Sequence, residues 1–224
     1  MTTYSIFEQL LELNQESAKE LIRTYFKTDR KETFLIFPKK RNGEIRISEQ
    51  ELRFTMVNFA NKYNYQKLDY AIEVPTNSEY SFNGIKKRSG STDLAFYSGD
   101  EKVLNVEFKA NNPMQEAFDK DIEKLFIENC HGAWCHILRN EDSGSLRSVI
   151  SKIKNAVKLI KYSPNKPLYF SFLILETKRL LSRKGVDGEE KQFNIDKILN
   201  IKYEDYSRLN KGKHQIGDWQ VDQY

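Results

Sequence analysis

The chain has 224 residues, a formal net charge of +4 at pH 7 and 30% charged residues. This length can bury one sizeable core, and no shift in composition indicates a second domain. No run approaches the ~18 apolar residues of a membrane span, and the first residues lack the basic and apolar regions of a signal peptide. The sequence therefore predicts a cytoplasmic protein without membrane contact, and its mildly basic charge permits nucleic acid as a partner without requiring it.

Hydrophobic periodicity predicts one α/β domain with an extension at each end. Residues 1–47 form the N-terminal extension, with an amphipathic helix from Ile6 to Tyr25 and a short strand from Phe34 to Phe37. Residues 177–224 form the C-terminal extension, with a helix near Ile195. The final segment, from Ser207 onward, is compatible with either a docked arm or a loose tail.

The central part, residues 48–176, alternates between helical and strand patterns. It begins with a helix at Ser48, a strand, a long loop to Gly90 and a β-hairpin. The predicted bounds of its elements are 70–74 for the first strand, 91–110 for the hairpin, 113–129 for a helix, 133–138 for a strand, 145–162 for a helix and 168–175 for a last strand.

The hairpin carries three ionisable side chains on one face, because side chains alternate along a strand. Asp93 lies on its first arm, and Glu107 and Lys109 lie on its second. If the loop has an odd number of residues centred on Asp100, paired positions sum to 200. Asp93 then faces Glu107 directly, with Cβ atoms ~4.5 to 5.5 Å apart.

Two facing carboxylates destabilise a hairpin unless a positive charge lies between them. Their spacing suits one divalent cation, so a metal-dependent hydrolytic site is the leading interpretation. The structural alternative makes Asp93 and Lys109 a cross-strand ion pair on a solvated face. Other acid-x-Lys patterns in the chain lack an acid in register on a neighbouring strand.

The hairpin resembles the active-site motif of the PD-(D/E)XK nuclease superfamily. Asp93, a gap of thirteen residues and Glu107-Phe108-Lys109 match the family's acid, variable gap and acid-x-Lys, although Thr92 stands where the family has its proline. The likeness in element order covers roughly residues 48–175. It implies a restriction-endonuclease-like core in αβββαβ order, with a mixed central sheet flanked by helices.

The resemblance also implies a chemistry. Asp93, Glu107 and the backbone carbonyl of Phe108 are expected to hold Mg²⁺, with Mn²⁺ as a substitute, while Lys109 orients or deprotonates the attacking water. We expect an endonuclease acting on DNA, in restriction or in defence against foreign DNA. An RNA-directed or structure-directed nuclease and a non-cleaving nucleic-acid-binding module remain alternatives, and a homodimer is left open.

The helix at Ser48 offers a further carboxylate. Ser48 as N-cap and Glu51 three residues later form a capping box, which gives Glu51 a structural task. A helical wheel places Glu51 on the polar side and Glu49 near the middle of the apolar face. Glu49 is therefore the preferred third acid of the site, although a frayed first turn is the alternative for it and Glu51 is not eliminated.

Basic residues around the hairpin are candidate substrate contacts. Lys86, Lys87 and Arg88 lie in the long loop before it, where phosphate contacts are common, although a solvated charge run has the same pattern. Lys124 lies near the site-facing edge of the helix that follows the hairpin.

The segment from Cys130 to His136 contains two cysteines and two histidines. On a strand, His131 and Cys135 lie ~13 Å apart, which does not suit zinc. We expect reduced core cysteines, and either a structural role or a site-facing position for His136.

Overall fold

The computed structural model describes residues 6–27, 35–63, 68–82, 86–141, 145–160, 164, 166–184 and 194–224, with the backbone alone for residues 78, 80–82 and 86–89. Helices and strands alternate through these residues. In chain order they are α1 (Ile6–Phe26), α2 (Glu49–Tyr63), β1 (Asp69–Phe82), β2 (Lys86–Ser98), β3 (Glu101–Ala110), α3 (Gln115–Ile127), β4 (His131–Leu138), α4 (Ser145–Leu159), β5 (Leu168–Ile174), β6 (Arg179–Lys184), α5 (Ile195–Ile198), α6 (Tyr203–Tyr206), β7 (Gly212–Ile216) and β8 (Trp219–Gln223).

The strands form one eight-stranded mixed sheet in the order β1-β2-β3-β4-β5-β6-β8-β7. The central strands β3, β4 and β5 are parallel, and the remaining neighbours are antiparallel. Parallel neighbours need crossover connections, which α3 and α4 provide. The predicted α/β class, with a mixed sheet flanked by helices, is confirmed. None of the helices in the described part of the chain is long and apolar enough to cross a bilayer.

Two apolar layers cover the sheet, one on each face. The first joins α1 and α2 to alternate residues of β3, among them Val106 and Phe108. The second joins α3 and α4 to the opposite face, where Trp134 is fully buried. Because side chains alternate along β3, Glu107 and Lys109 point toward α3, away from α1 and α2.

The prediction of a long loop before the hairpin is wrong, because much of that segment is strand. β1 and β2 pair from Asp69–Tyr97 to Phe82–Lys86, so Lys86, Lys87 and Arg88 begin a strand. Residues 83–85 lie outside the described part of the chain. The distal halves of these strands are paired through their backbones, and their mostly polar sequences are typical of a loop as well as of an exposed strand.

The predicted strand from Phe34 to Phe37 is also wrong where the structure describes it. Residues 35–37 are not in a strand, and the nearest pairing is an isolated bridge between Lys39 and Ile45. Phe34 lies outside the described residues. Three apolar residues without a neighbouring strand cannot form a ladder, so Phe37 is buried as part of an irregular segment.

The C-terminal segment is a docked arm rather than a loose tail. β7 and β8 form a hairpin that extends the sheet beyond β6. Arg179, at the start of β6, forms an ion pair with Glu141 and donates a hydrogen bond from Nη2 to the carbonyl of Ser207 at 2.7 Å. The hairpin is thereby fixed to the core by buried polar contacts as well as by backbone pairing.

Candidate active site

The candidate site lies where β2 and β3 part. Their pairing with each other runs from Ser98–Glu101 to Leu94–Val106, and beyond it, among the described residues, β2 pairs only with β1 and β3 only with β4. At that point Oδ2 of Asp93 accepts a hydrogen bond from the backbone N–H of Phe108 at 2.8 Å. The side chain of Asp93 thus takes an N–H that a longer ladder would use, and its carboxylate is held beside β3.

Near the site, the residue numbers of paired positions add up to 200, as predicted. The predicted loop with an odd number of residues is wrong. Ser98 pairs with Glu101, so the loop has two residues, and Gly99 adopts φ of 60° there. A bulge that leaves Val103 unpaired then shifts the register by one residue. The bulge restores the predicted pairing at Leu94–Val106, on the side of the hairpin nearest to Asp93.

Glu107 is fully buried, with 0% of its surface exposed. Its Oε1 lies 2.6 Å from Nζ of Lys124, and its Oε2 has no hydrogen-bond donor among the described residues. Burial raises the pKa of Glu107 well above its usual value, and the carboxylates of Asp121 and Asp93 raise it further. The ammonium of Lys124 opposes this rise, and a further cation at Oε2 would favour the ionised carboxylate.

Lys109 is held in place by two oxygen atoms. Its Nζ lies 2.5 Å from Oδ2 of Asp121 and donates to the carbonyl of Phe108 at 3.0 Å. Burial lowers the pKa of Lys109, but the carboxylates of Asp121 and Glu107 outweigh burial and raise the pKa above its usual value. Lys109 therefore remains an ammonium ion at neutral pH.

Asp121 is a site residue that the sequence interpretation missed. It is almost fully buried and bridges both lysines, with Oδ1 2.7 Å from Nζ of Lys124. Burial raises the pKa of Asp121, but the ammonium groups of Lys109 and Lys124 lower it below its usual value. Its spacing of three residues from Lys124 places both side chains on one face of α3, which was the available signal.

Lys124 lies inside this cluster and not on an exposed edge of α3. Only 2% of its surface is exposed, and its Nζ also donates to the carbonyl of Ser91 at 2.7 Å. We call Asp93, Glu107, Lys109, Asp121 and Lys124 the ionic cluster.

The distal part of the β1–β2 hairpin, residues 75–82 and 86–91, lies beside the ionic cluster, and we call it the β-arm. The register of β1 and β2 shifts between Pro75 and Glu79, and β1 contacts α3. The backbone N–H of Asn77 donates to Oε1 of Glu128, just after α3, at 2.9 Å. Asp93 and Lys109 stay partly exposed, so they form the open side of the cluster.

The capping box at the start of α2 is confirmed. Oε2 of Glu51 accepts hydrogen bonds from the backbone N–H and the hydroxyl of Ser48, at 2.9 and 2.7 Å. The wheel is wrong in placing Glu51 on the polar side, because its carboxylate turns back onto Ser48 and is buried. Glu49 is half-buried, and its side chain makes no hydrogen bond or ion pair with any described residue.

Among the described residues, no hydrogen bond or ion pair joins Glu49 to the ionic cluster. The buried residues of α2 pack on the face of the sheet opposite Glu107. The side chains of Lys86, Lys87 and Arg88 lie outside the described part of the structure. Their backbone pairs with the far end of β1, at the tip of the β-arm.

The ligand chemistry of the cluster suits a hard cation. In the described ranges, no group of three or more His, Cys, Asp or Glu side chains is arranged to hold a metal ion alone. Glu107 nevertheless has a buried oxygen without a donor, and Asp93 lies close enough to raise its pKa. Mg²⁺ is commonly bound by one or two carboxylates, with waters and substrate phosphates completing its shell. The residues therefore fit such an ion.

His136 has a structural role at the end of β3. Its Nε2 lies 2.6 Å from the carbonyl of Asn111, and its Nδ1 accepts from Trp134 at 3.4 Å. Burial lowers the pKa of His136 to about 3, so the ring is neutral. Asn111 has φ of 58° and also donates from Nδ2 to the carbonyl of Ile47 at 2.9 Å. These bonds connect β3, β4 and the segment before α2.

The two cysteines are free and buried, as predicted. Burial raises the pKa of both Cys130 and Cys135 to about 11, which keeps them as thiols.

Comparison of the chain with protein-family models, with curated proteins and with solved structures finds no match.

Proposed function

We propose that the protein is a metal-dependent nuclease that hydrolyses phosphodiester bonds, with DNA as its substrate. One observation carries the proposal: the buried Glu107, the Asp93 carboxylate and the Lys109 ammonium share one face where β2 and β3 part. A hydrolytic metal site needs acids to hold the ion and a cation near the attacked phosphate. A purely structural hairpin has no need for a buried carboxylate oxygen without a donor.

The order of elements supports a restriction-endonuclease-like core. α2, β1, β2, β3, α3 and β4 follow one another in the expected αβββαβ order, within one sheet. The match of Asp93 and Glu107-Phe108-Lys109 to the PD-(D/E)XK motif remains a resemblance. It supplies the proposed substrate class and the proposed roles in restriction or defence.

In the proposed mechanism, Asp93 and Glu107 would hold one Mg²⁺ or Mn²⁺, and the carbonyl of Phe108 would be a further oxygen ligand. The ion would polarise the phosphodiester and lower the pKa of a bound water.

Lys109 would hold the attacking water and stabilise the charge that develops on the phosphate. Its raised pKa favours this role over removal of a proton, since an ammonium has no lone pair to accept one. Asp121 would keep the ammonium aimed at the open side of the cluster. The β-arm would exclude water from Glu107, which strengthens its attraction for a cation.

A non-cleaving nucleic-acid-binding module is the second candidate. The ion pairs favour this candidate, because Lys124 already lies between the carboxylates of Glu107 and Asp121 without a metal ion. An RNA-directed nuclease would use the same residues as the DNA enzyme, and only the choice of substrate separates the two.

The test is Mg²⁺-dependent cleavage of plasmid DNA, single-stranded DNA and RNA by wild type, Glu107→Gln and Lys109→Met. Lys102→Met is the matched control, because Lys102 is also an ion-paired, partly buried lysine of β3 but contacts Glu128 instead. We expect cleavage by wild type and the control, and none above background by the other two variants. Binding without cleavage by wild type on every substrate would favour the module.

A further inference from the structure

Lys124 has the surroundings of a bound cation. Its ammonium lies 2.6 Å from Oε1 of Glu107, 2.7 Å from Oδ1 of Asp121 and 2.7 Å from the carbonyl of Ser91. The ammonium donates a hydrogen bond to the carbonyl of Ser91 and forms ion pairs with the two carboxylates. Two of the three oxygen atoms belong to carboxylates, and almost none of the lysine reaches solvent. The same oxygen types would surround a divalent metal ion.

The third oxygen atom belongs to a residue of β2 that lies opposite a proline of β1. Pro75 lies opposite Ser91 in the pairing of β1 and β2 and has no backbone N–H to donate. The carbonyl of Ser91 therefore has no donor from that residue, and Lys124 supplies one.

The net charge of the ionic cluster bears on how many divalent ions it can hold beside Lys124. Its three carboxylates and two ammonium groups leave one negative charge when all are ionised. One divalent ion would make the cluster singly positive, and a bound phosphodiester would then make it neutral. With the phosphodiester bound, a second divalent ion would raise the charge of the cluster to +2, or to +1 if that ion replaced Lys124.

We propose that the ammonium of Lys124 takes the place of a second metal ion, so that the site works with the single divalent cation held by Asp93 and Glu107. This inference rests on the proposed function. Glu107 is then shared: Oε1 binds the ammonium, and Oε2, which has no donor among the described residues, is left for the metal. Asp121 belongs to the ammonium side, where it also holds Lys109.

The inference predicts what the removal of Lys124 creates. In Lys124→Ala, Glu107, Asp121 and the carbonyl of Ser91 surround a vacated position and lose their cation. Two buried carboxylates that share the single remaining ammonium, that of Lys109, have a strong affinity for a divalent ion. Lys124→Ala should therefore bind one more Mn²⁺ per chain than wild type, and its melting temperature should rise more on addition of Mn²⁺.

The experiment counts bound Mn²⁺ by calorimetry and by electron paramagnetic resonance, where two neighbouring ions give a coupled spectrum. Wild type should bind one ion, and Lys124→Ala should bind two with coupling. The double variant Lys124→Ala with Asp121→Asn should return to one, because one of the two vacated carboxylates is removed. Lys102→Ala is the matched control and should bind one ion, since Lys102 neutralises a single carboxylate.

The outcomes separate the two proposals. If Lys124→Ala gains no ion, or if wild type already binds two, the role given to Lys124 is wrong. If wild type binds none and Lys124→Ala binds one, the metal site of the proposed function fails, while the cation-like position of Lys124 stands.

Folding of the variant is part of the test. If Lys124→Ala is unfolded without metal, it should fold on addition of Mn²⁺, whereas samples without Mn²⁺ should stay unfolded. Lys124→Gln, which can still donate to one carboxylate, provides a milder variant with the same expected gain. Failure of both variants to fold in millimolar Mn²⁺ would overturn the inference, because a metal ion could not then replace the ammonium.

Discussion

Oδ2 of Asp93 accepts the backbone N–H of Phe108 at 2.8 Å, a side-chain bond at the point where the pairing of β2 and β3 ends. The bond fixes one carboxylate oxygen and leaves the other unassigned. It also means that Asp93 contributes to the local backbone structure as well as to charge. Substitutions at this position must separate the two contributions.

Asp93→Asn should separate them. Asparagine can accept from Phe108 through its carbonyl oxygen, so the variant should keep its melting temperature without metal within a few degrees of wild type. Loss of the charge should weaken Mn²⁺ binding and lower cleavage by ~10²- to 10³-fold. Calorimetry, thermal unfolding and plasmid nicking measure the three effects. Unchanged Mn²⁺ affinity in Asp93→Asn would remove Asp93 from the metal site.

Asp121→Asn should act through Lys109. The carboxylate of Asp121 raises the pKa of Lys109, so its loss should lower that pKa while burial continues to lower it as well. We expect the alkaline limb of the rate profile to move to lower pH and kcat to fall more than KM rises. A reduced rate with an unshifted pH profile would indicate that Asp121 only supports packing.

Glu107 should make the metal-free protein less stable at high pH. Its folded-state pKa is raised above its ordinary value of 4.5, so the fold binds the proton more tightly than the unfolded chain. This stabilisation is complete below the unfolded pKa and is lost as pH rises through the folded one. Urea unfolding in a chelator at pH 5 and pH 8 measures the loss.

Glu107→Gln provides the comparison, because it cannot ionise. The free energy of unfolding should fall less in Glu107→Gln than in wild type between the two pH values. A smaller fall should remain, since burial also raises the pKa of Asp93. Equal pH dependence in the two proteins would mean that Glu107 titrates normally in the fold.

The two acids at the start of α2 should behave differently. Glu51→Ala loses both hydrogen bonds with Ser48 and should cost about 1 kcal/mol of stability. Glu51→Gln retains an acceptor and should cost less. Glu49→Ala should change stability little, and its effect on cleavage decides whether Glu49 contributes to the chemistry. A cleavage defect without loss of stability would assign Glu49 a functional role.

Local pattern was sufficient for part of the site. Alternation along two strands and a short turn predict that Asp93, Glu107 and Lys109 share a face, and the register at Leu94–Val106 agrees. The details of the loop did not matter, because the bulge at Val103 compensates for the shorter turn.

Residues that depend on packing between elements were harder to predict. Asp121 is part of the cluster only because α3 lies across Glu107 and Lys109, which no periodicity within the helix specifies. The β-arm was missed because polar strands held by backbone pairing resemble a loop in sequence. The burial of Glu51 escaped the helical wheel, since a side chain that folds back onto its own helix does not follow the wheel.

The backbone and the hydrogen bonds of Asn111 restrict which residues this position can hold in homologous chains. Its left-handed backbone favours Asn or Gly, and of these two only Asn has a side-chain amide that can donate to the carbonyl of Ile47. Selection for folding alone should therefore keep Asn111 nearly invariant, a few residues from Glu107 and Lys109. In an alignment of homologous chains, we expect this position to persist even in lineages that have lost Glu107, so invariance here would report architecture and not catalysis.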